Sequence, residues 1–256
     1  MLWAIDIGNT QTVVGLHDGS GWQAVWRLAT DHEQTEDQIA GELETLCRLA
    51  GLEFAAARVI VASVVPSVEM AWSLFFQKYL GQPAVFLRSG DQVGLPVSYD
   101  PPHAVGADRI ANAIAALERW APPIVVVDFG TATTFDCVDA DGVYTGGVIL
   151  PGLTVSMESL VSRTAKLPSV ALEAPGRAVG KRTVESIQSG LMFGYADAVD
   201  GLVRRIVAEL GPCTVVSTGG LGSKFLGLCQ EIKQHEPELT LDGLLVASRR
   251  LKPGTV

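Results

Sequence analysis

The chain writes one local pattern twice. Asp6-Ile-Gly-Asn-Thr-Gln-Thr12 follows the apolar run 2–5, and Asp128-Phe-Gly-Thr-Ala-Thr-Thr134 follows the apolar run 124–127. An aspartate closing a buried strand is costly unless something pairs with it. The glycine two residues later lets the backbone turn tightly and leaves room for a ligand to approach. The surroundings recur as well. A shift of 122 residues superposes Asp6 on Asp128, Gly8 on Gly130 and Thr12 on Thr134, and a shift of 123 then superposes the turn Asp18-Gly19 on Asp141-Gly142. A one-residue insertion in a loop gives such a slip. The pattern predicts two copies of a strand–hairpin–strand–helix unit around one ligand.

Period-2 and short apolar runs predict strands over 2–6, 12–16, 24–28, 59–63 and 84–87 in the first half, and over 124–128, 134–138, 143–149 and 214–217 in the second. Helical spacing marks 38–49, 68–79, 107–121, 154–163 and 184–210, and a further helix is expected to open at Gly219-Gly-Leu-Gly222. Residues 89–103 read as a proline-bearing loop, and 251–256 as a frayed tail. The expected division is 1–117 and 118–256.

A net charge of −9 argues against a phosphate-backbone partner, so no nucleic acid is expected. No apolar run approaches the roughly 20 residues that span a bilayer, and no basic leader precedes an apolar stretch. The expectation is a cytoplasmic protein with no membrane partner. Cys47, Cys137, Cys213 and Cys229 form no CxxC pair and read as buried free thiols.

Two facing Asp-x-Gly turns would make a cradle of backbone N–H groups and hydroxyls for a polyphosphate, with carboxylates placed for a hydrated metal. The Walker A pattern is absent, and so is a G-x-G-x-x-G after the first strand. Gly219-Gly-Leu-Gly222 sits at a strand-to-helix junction, where it serves either as a backbone surface for adenosine or as a plain tight turn.

The paired turns with a late Thr-Gly-Gly resemble the superfamily of acetate and sugar kinases, actin and heat-shock chaperone ATPases. Within it, five motifs in order resemble type III pantothenate kinase. They are DIGNT, Gly106-Ala-Asp-Arg109, DFGTATT, Gly146-Gly-x-Ile149 with Pro151-Gly152, and Lys181-Arg-Thr-Val-Glu-Ser-Ile-Gln-Ser-Gly190. The resemblance covers nearly the whole chain. It implies an α/β fold of two duplicated RNase H-like domains, each a mixed sheet with helices, and an active site in the cleft between them. It implies transfer of the ATP γ-phosphoryl group to pantothenate, the first step of coenzyme A biosynthesis.

The same resemblance assigns roles. Asp6, Ile7, Gly8, Asn9, Thr10, Gln11, Thr12 and Val13 match the first phosphate motif, and Thr131 matches an ATP-contacting hydroxyl of the second. Asp6 is expected to hold Mg²⁺, directly or through water, and Asp128 a monovalent cation, K⁺ or NH₄⁺. Asp108, at a helix start that favours negative charge, is the expected general base. Tyr99, Gly106, Ala107, Asp108, Arg109 and Thr183 are the expected pantothenate-binding residues, with the Arg109 fork suited to a carboxylate. A homodimer is implied, with Thr183 serving its own or the partner subunit's site. Arg182 stands where the family pattern leads one to expect a small polar residue, and His103 reads as a surface loop residue. Two other readings remain open: an ATP-binding regulatory or accessory protein of the same fold, and a kinase for another small hydroxy acid or sugar.

Overall fold

The computed structural model describes residues 1–251. In chain order its elements are β1 (Leu2–Ile7), β2 (Gln11–His17), β3 (Trp22–Ala29), α1 (Glu36–Ala50), β4 (Arg58–Ser63), α2 (Glu69–Leu80), β5 (Ala84–Leu87) and α3 (Ala107–Arg119). The second half continues with β6 (Ile124–Phe129), β7 (Ala132–Val138), β8 (Tyr144–Pro151), α4 (Leu153–Ser162), α5 (Thr183–Leu210), β9 (Thr214–Thr218), α6 (Gly222–Phe225), β10 (Gln234–His235) and α7 (Leu239–Arg250).

The chain divides into two compact units, 1–115 with the segment from Thr240 onward, and 116–239. The expected division put everything after 117 in one half. Helix α7 instead belongs with the first unit, where the Thr240 hydroxyl donates to Asn112 Oδ1 of α3 at 2.8 Å. Leu251 is likewise buried rather than frayed, and its carbonyl accepts from Arg58 at 2.7 Å. The rest of the expected tail, 252–256, lies outside the described residues. The helix expected from Gly222 is a single turn, followed by the two-residue β10.

Each unit carries a five-stranded mixed sheet of the same order. The first reads β3-β2-β1-β4-β5 and the second β8-β7-β6-β9-β10. In each, the first strand pairs antiparallel with its hairpin partner and parallel with the strand on its other side. A bulge falls between Leu16 and His17 in one hairpin and between Cys137 and Val138 in the other.

The register refines the expected repeat. Thr12 pairs with Ile7, while the residue that pairs with Phe129 is Thr133. Thr12 therefore corresponds to Thr133, not to Thr134 as the 122-residue shift has it. The cause is the first turn of the second copy, which is one residue shorter. Gly8 N–H closes it on Gln11 O in the first copy, and Gly130 N–H closes it on Ala132 O in the second.

Local chemistry accounts for the elements. Helix α1 starts on a Thr35–Gln38 capping box and stops at Gly51, whose φ of 68° is left-handed. Its Ile39, Ala40, Leu43 and Cys47 recur at helical spacing and face the core. They pack with Trp3, Val59, Val61, Trp72, Phe75 and Phe76 in the first unit. In the second, Val125, Val127, Phe129 and Phe135 of the sheet meet Met192, Tyr195, Val199 and Val203 of α5. All four cysteines are free, and three are buried. No helix among the described residues is long and apolar enough to cross a membrane.

Candidate active site

Strand β1 delivers Asp6 and Ile7 to the first turn. Ile7 is fully buried and its carbonyl accepts from Val64 N–H at 3.1 Å, which fastens the turn to the end of β4. Asp6 is half-buried, and Asn9, Thr10 and Gln11 are exposed. Thr30, just past β3, meets this turn three times. Its hydroxyl donates to Gly8 O at 2.7 Å, its N–H donates to Thr10 O at 3.0 Å, and Thr12 Oγ1 lies 2.9 Å from Thr30 Oγ1. Sequence reasoning did not single out Thr30. The available signal was its position, 122 residues before Gly152 of the second copy.

Asp108 stands at the second position of α3, half-buried. Its Oδ1 accepts from the N–H of Arg109 at 2.8 Å. A Cβ on Gly106 would collide with that same oxygen, and its next neighbour would be Val64 Cγ1 at 3.5 Å. Val64 is the residue that caps the Ile7 carbonyl, so the start of α3 and the first turn meet at one end of the first sheet. Burial pushes the Asp108 carboxyl above its ordinary value, against the opposing pull of the Arg109 N–H and guanidinium. Arg109 is itself buried. Tyr99 is half-buried in the loop that leads into α3, and His103 is exposed there.

The second turn is built on different contacts. Gly152 N–H donates to Thr131 O at 3.1 Å, and a Cβ on Gly152 would overlap the Thr131 and Gly130 carbonyls. Tyr195 of α5 brings its hydroxyl within 2.8 Å of both Thr133 Oγ1 and Pro151 O. Gly219, with φ of 85°, lies so close to Asp128 that a Cβ would run into Oδ1 and the Phe129 backbone. That glycine therefore frames the Asp128 carboxylate, a role the reading of Gly219-Gly-Leu-Gly222 as an adenosine surface or a plain turn did not include.

Tyr99, Gly106, Ala107, Asp108 and Arg109 thus lie in the first unit with Asp6 to Val13, and Asp128 and Thr131 in the second. Thr183 is the exposed first residue of α5. It precedes Tyr195 by 12 positions, about 18 Å along the axis at 1.5 Å per residue. The structure does not bring it to the second turn. Arg182 pairs with Glu185 at 2.6 Å, and Lys181 N–H donates to the same carboxylate at 2.9 Å. A carboxylate there also complements the helix N-terminus, which accounts for an arginine at that position.

The donor sets suit the implied ions. Among the described residues no three His, Cys, Asp or Glu side chains gather into a protein-only metal cage. A single half-buried carboxylate at Asp6 fits Mg²⁺, which keeps several waters and takes its other ligands from phosphates. Asp128 likewise offers one half-buried carboxylate, an anionic oxygen donor of the kind a monovalent cation takes.

Comparison with known proteins gives the chain a family. A model of the family described as type III pantothenate kinase matches residues 2–205. The type III pantothenate kinase of Thermomicrobium roseum is 46% identical over 253 residues, covering 98% of each chain. That of Syntrophotalea carbinolica is 45% identical over 254 residues, covering 98% of this chain and 100% of its own. Among solved structures, a protein from Campylobacter jejuni described as a conserved Baf family transcriptional activator superposes with a TM-score of 0.63 at 19% identity. It covers 96% of this chain and 97% of its own, a likeness of fold. With the family model spanning most of its length and the relatives aligned end to end, the chain belongs to the type III pantothenate kinase family.

Proposed function

We propose that the protein transfers the γ-phosphoryl group of ATP to the primary hydroxyl of pantothenate, giving 4′-phosphopantothenate, with Asp108 as the general base. The observation that carries this reading is the Asp108 carboxylate, half-buried at the start of α3 in a space that Gly106 leaves open. Burial makes the group a better proton acceptor than an exposed aspartate.

Phosphoryl transfer asks the protein mainly for positioning and charge stabilisation. Asp108 accepts the proton of the attacking hydroxyl. Arg109 clamps the pantothenate carboxylate, Tyr99 packs beside the acid, and the Gly106–Ala107 backbone gives it room. The first turn, Gly8 to Gln11, and the Thr131 hydroxyl bind the triphosphate, with Thr12 and Val13 supporting the turn from the start of β2. Asp6 would hold Mg²⁺, directly or through water, and the ion would supply positive charge that offsets the triphosphate. Asp128 would hold K⁺ or NH₄⁺, supplying positive charge where no Walker lysine stands.

Each unit is read as an RNase H-like domain, in keeping with the repeated strand order. The protein is read as a homodimer. Val179 and Val184, both exposed, flank Thr183 and offer an apolar surface for a second copy, which would bring Thr183 to the partner subunit's substrate.

The test is ADP release on purified protein with Mg-ATP and a panel of acceptors: pantothenate, other small hydroxy acids, and hexoses. The product is identified by mass and the assay repeated in K⁺ and Na⁺. Pantothenate-dependent release with a monophosphorylated product is expected, faster in K⁺. Release with a sugar but not with pantothenate would overturn the assignment.

A further inference from the structure

The two turns are fastened by matching chains of hydroxyls, and the protons can be assigned by counting. The Thr30 hydroxyl lies 2.7 Å from Gly8 O. A carbonyl only accepts, so Thr30 spends its one proton there. Thr12 Oγ1, 2.9 Å away, must then donate to Thr30. The direction is thus Thr12 to Thr30 to Gly8 O. In the second unit Tyr195 Oη lies 2.8 Å from Pro151 O and 2.8 Å from Thr133 Oγ1. The phenol is the donor on both contacts, so its one proton is shared between Pro151 O and Thr133 Oγ1 and holds the two together. Thr12 and Thr133 hold the same register position in their sheets, and each is 1% exposed. Thr12, which donates to Thr30, has no proton left for a ligand.

Thr30 and Gly152 also correspond, since each donates its N–H to the middle of its turn, at Thr10 O and Thr131 O. The first copy takes its second hydroxyl from that residue. The second copy cannot, because any side chain on Gly152 would overlap the Thr131 carbonyl. Its hydroxyl comes instead from α5.

These chains aim backbone donors. In a trans peptide the carbonyl and the following N–H point opposite ways. Holding Gly8 O toward Thr30 turns the Asn9 N–H away from Thr30, on the exposed side of the turn. Holding Pro151 O toward Tyr195 turns the Gly152 N–H toward Thr131 O, where it is found at 3.1 Å. We infer that Thr30 and Tyr195 are positioning residues for nucleotide binding, each fixing one phosphate turn by a hydrogen bond to a backbone carbonyl, with a buried threonine hydroxyl beside it. This rests on the reading of those turns as the ATP site.

The test compares Thr30→Val, Thr30→Ser and Tyr195→Phe with the wild type. It measures Mg-ATP affinity by titration calorimetry without pantothenate, KM for each substrate, and the thermal midpoint. Losing one aiming hydrogen bond of about 1 kcal/mol predicts roughly five- to tenfold weaker ATP binding in Thr30→Val and in Tyr195→Phe. KM for pantothenate should stay within about twofold, and Thr30→Ser, which keeps the hydroxyl, should bind ATP within about twofold of the wild type. Tyr79→Phe, which removes an exposed phenol bonded to Asp37, is the neutral control. ATP affinity unchanged in both Thr30→Val and Tyr195→Phe would overturn the inference. So would parallel shifts of both KM values and the midpoint, with no rescue by serine. If Thr30→Val fails to fold, Tyr195→Phe decides. A wild type that binds Mg-ATP but phosphorylates no pantothenate refutes only the acceptor, and the ATP affinities still judge the positioning role. A wild type that binds no ATP refutes both.

Discussion

Gly106 and Asp108 are fitted to one another: the carboxylate occupies the space that a side chain on the glycine would fill. The requirement is steric, and it ties the position of the proposed base to a residue with no chemistry of its own.

Gly106→Ala should therefore act as a catalytic mutation. The added methyl displaces the Asp108 carboxylate, and a misplacement of about 1 Å is enough to cost on the order of 100-fold in rate. Steady-state kinetics should show kcat falling by about that factor with KM for ATP little changed. An unaltered kcat would mean that Asp108 can move without consequence.

Asp108→Asn carries a stability prediction with a definite sign. The native carboxyl titrates above its ordinary value of 3.8, because burial disfavours the charged form. Between 3.8 and the raised native value the folded state binds more protons than the unfolded one. Stability from this group therefore declines as pH rises through that window, and the burial cost is full at neutral pH. The amide removes that cost. Thermal melts should place Asp108→Asn above the wild type at pH 7, with the gap closing toward about pH 3. A gap that is constant with pH would contradict the raised value.

Gly219→Ala combines two penalties. The residue has φ of 85°, and a Cβ would meet Asp128 Oδ1 and the Phe129 backbone. Backbone strain of this kind costs on the order of 1–3 kcal/mol. The variant should melt lower than the wild type and lose K⁺ stimulation, read by titrating KCl against a constant ionic strength. Stimulation that survives intact would detach the cation from Asp128.

Phe75→Ala tests the core of the first unit. Phe75 is fully buried, with its ring 5.0 Å from Phe76, 5.9 Å from Trp72 and 6.3 Å from Trp3. Emptying that position should cost about 3–5 kcal/mol, measured as a lower denaturation midpoint in urea. A loss under about 1 kcal/mol would mean that the cluster collapses into the gap.

Much of this architecture was legible because its signals are local. Asp-x-Gly after an apolar run marks each turn, and Asp18-Gly19 and Asp141-Gly142 mark the hairpins that follow. Where the signal is tertiary, the reading stopped. Helix α7 was not foreseen, for its interior carries Gly243, a residue that lowers helix propensity. That glycine is there because a Cβ would overlap the Ala111 backbone of α3. Thr12 matches the first phosphate motif by sequence position alone. Its burial, and the use of its proton on Thr30, follow from a contact 18 residues away. Tyr195 lies inside the helical span 184–210 with no motif to mark it, and only the fold brings its hydroxyl to Thr133 and Pro151. Gly-Ala-Asp-Arg is contiguous, so the family resemblance alone singles out Asp108. The room that Gly106 makes for its carboxylate appears only in three dimensions.

The most direct test of the central claim is the single-turnover rate of phosphoryl transfer from Mg-ATP to pantothenate, measured by rapid quench at saturating substrates. Wild type is compared with Asp108→Asn at neutral pH. General-base catalysis by Asp108 predicts a rate lower by about 10²–10⁴-fold in the variant, with Mg-ATP affinity within about threefold of the wild type. A variant that transfers phosphate at the wild-type rate would contradict the account.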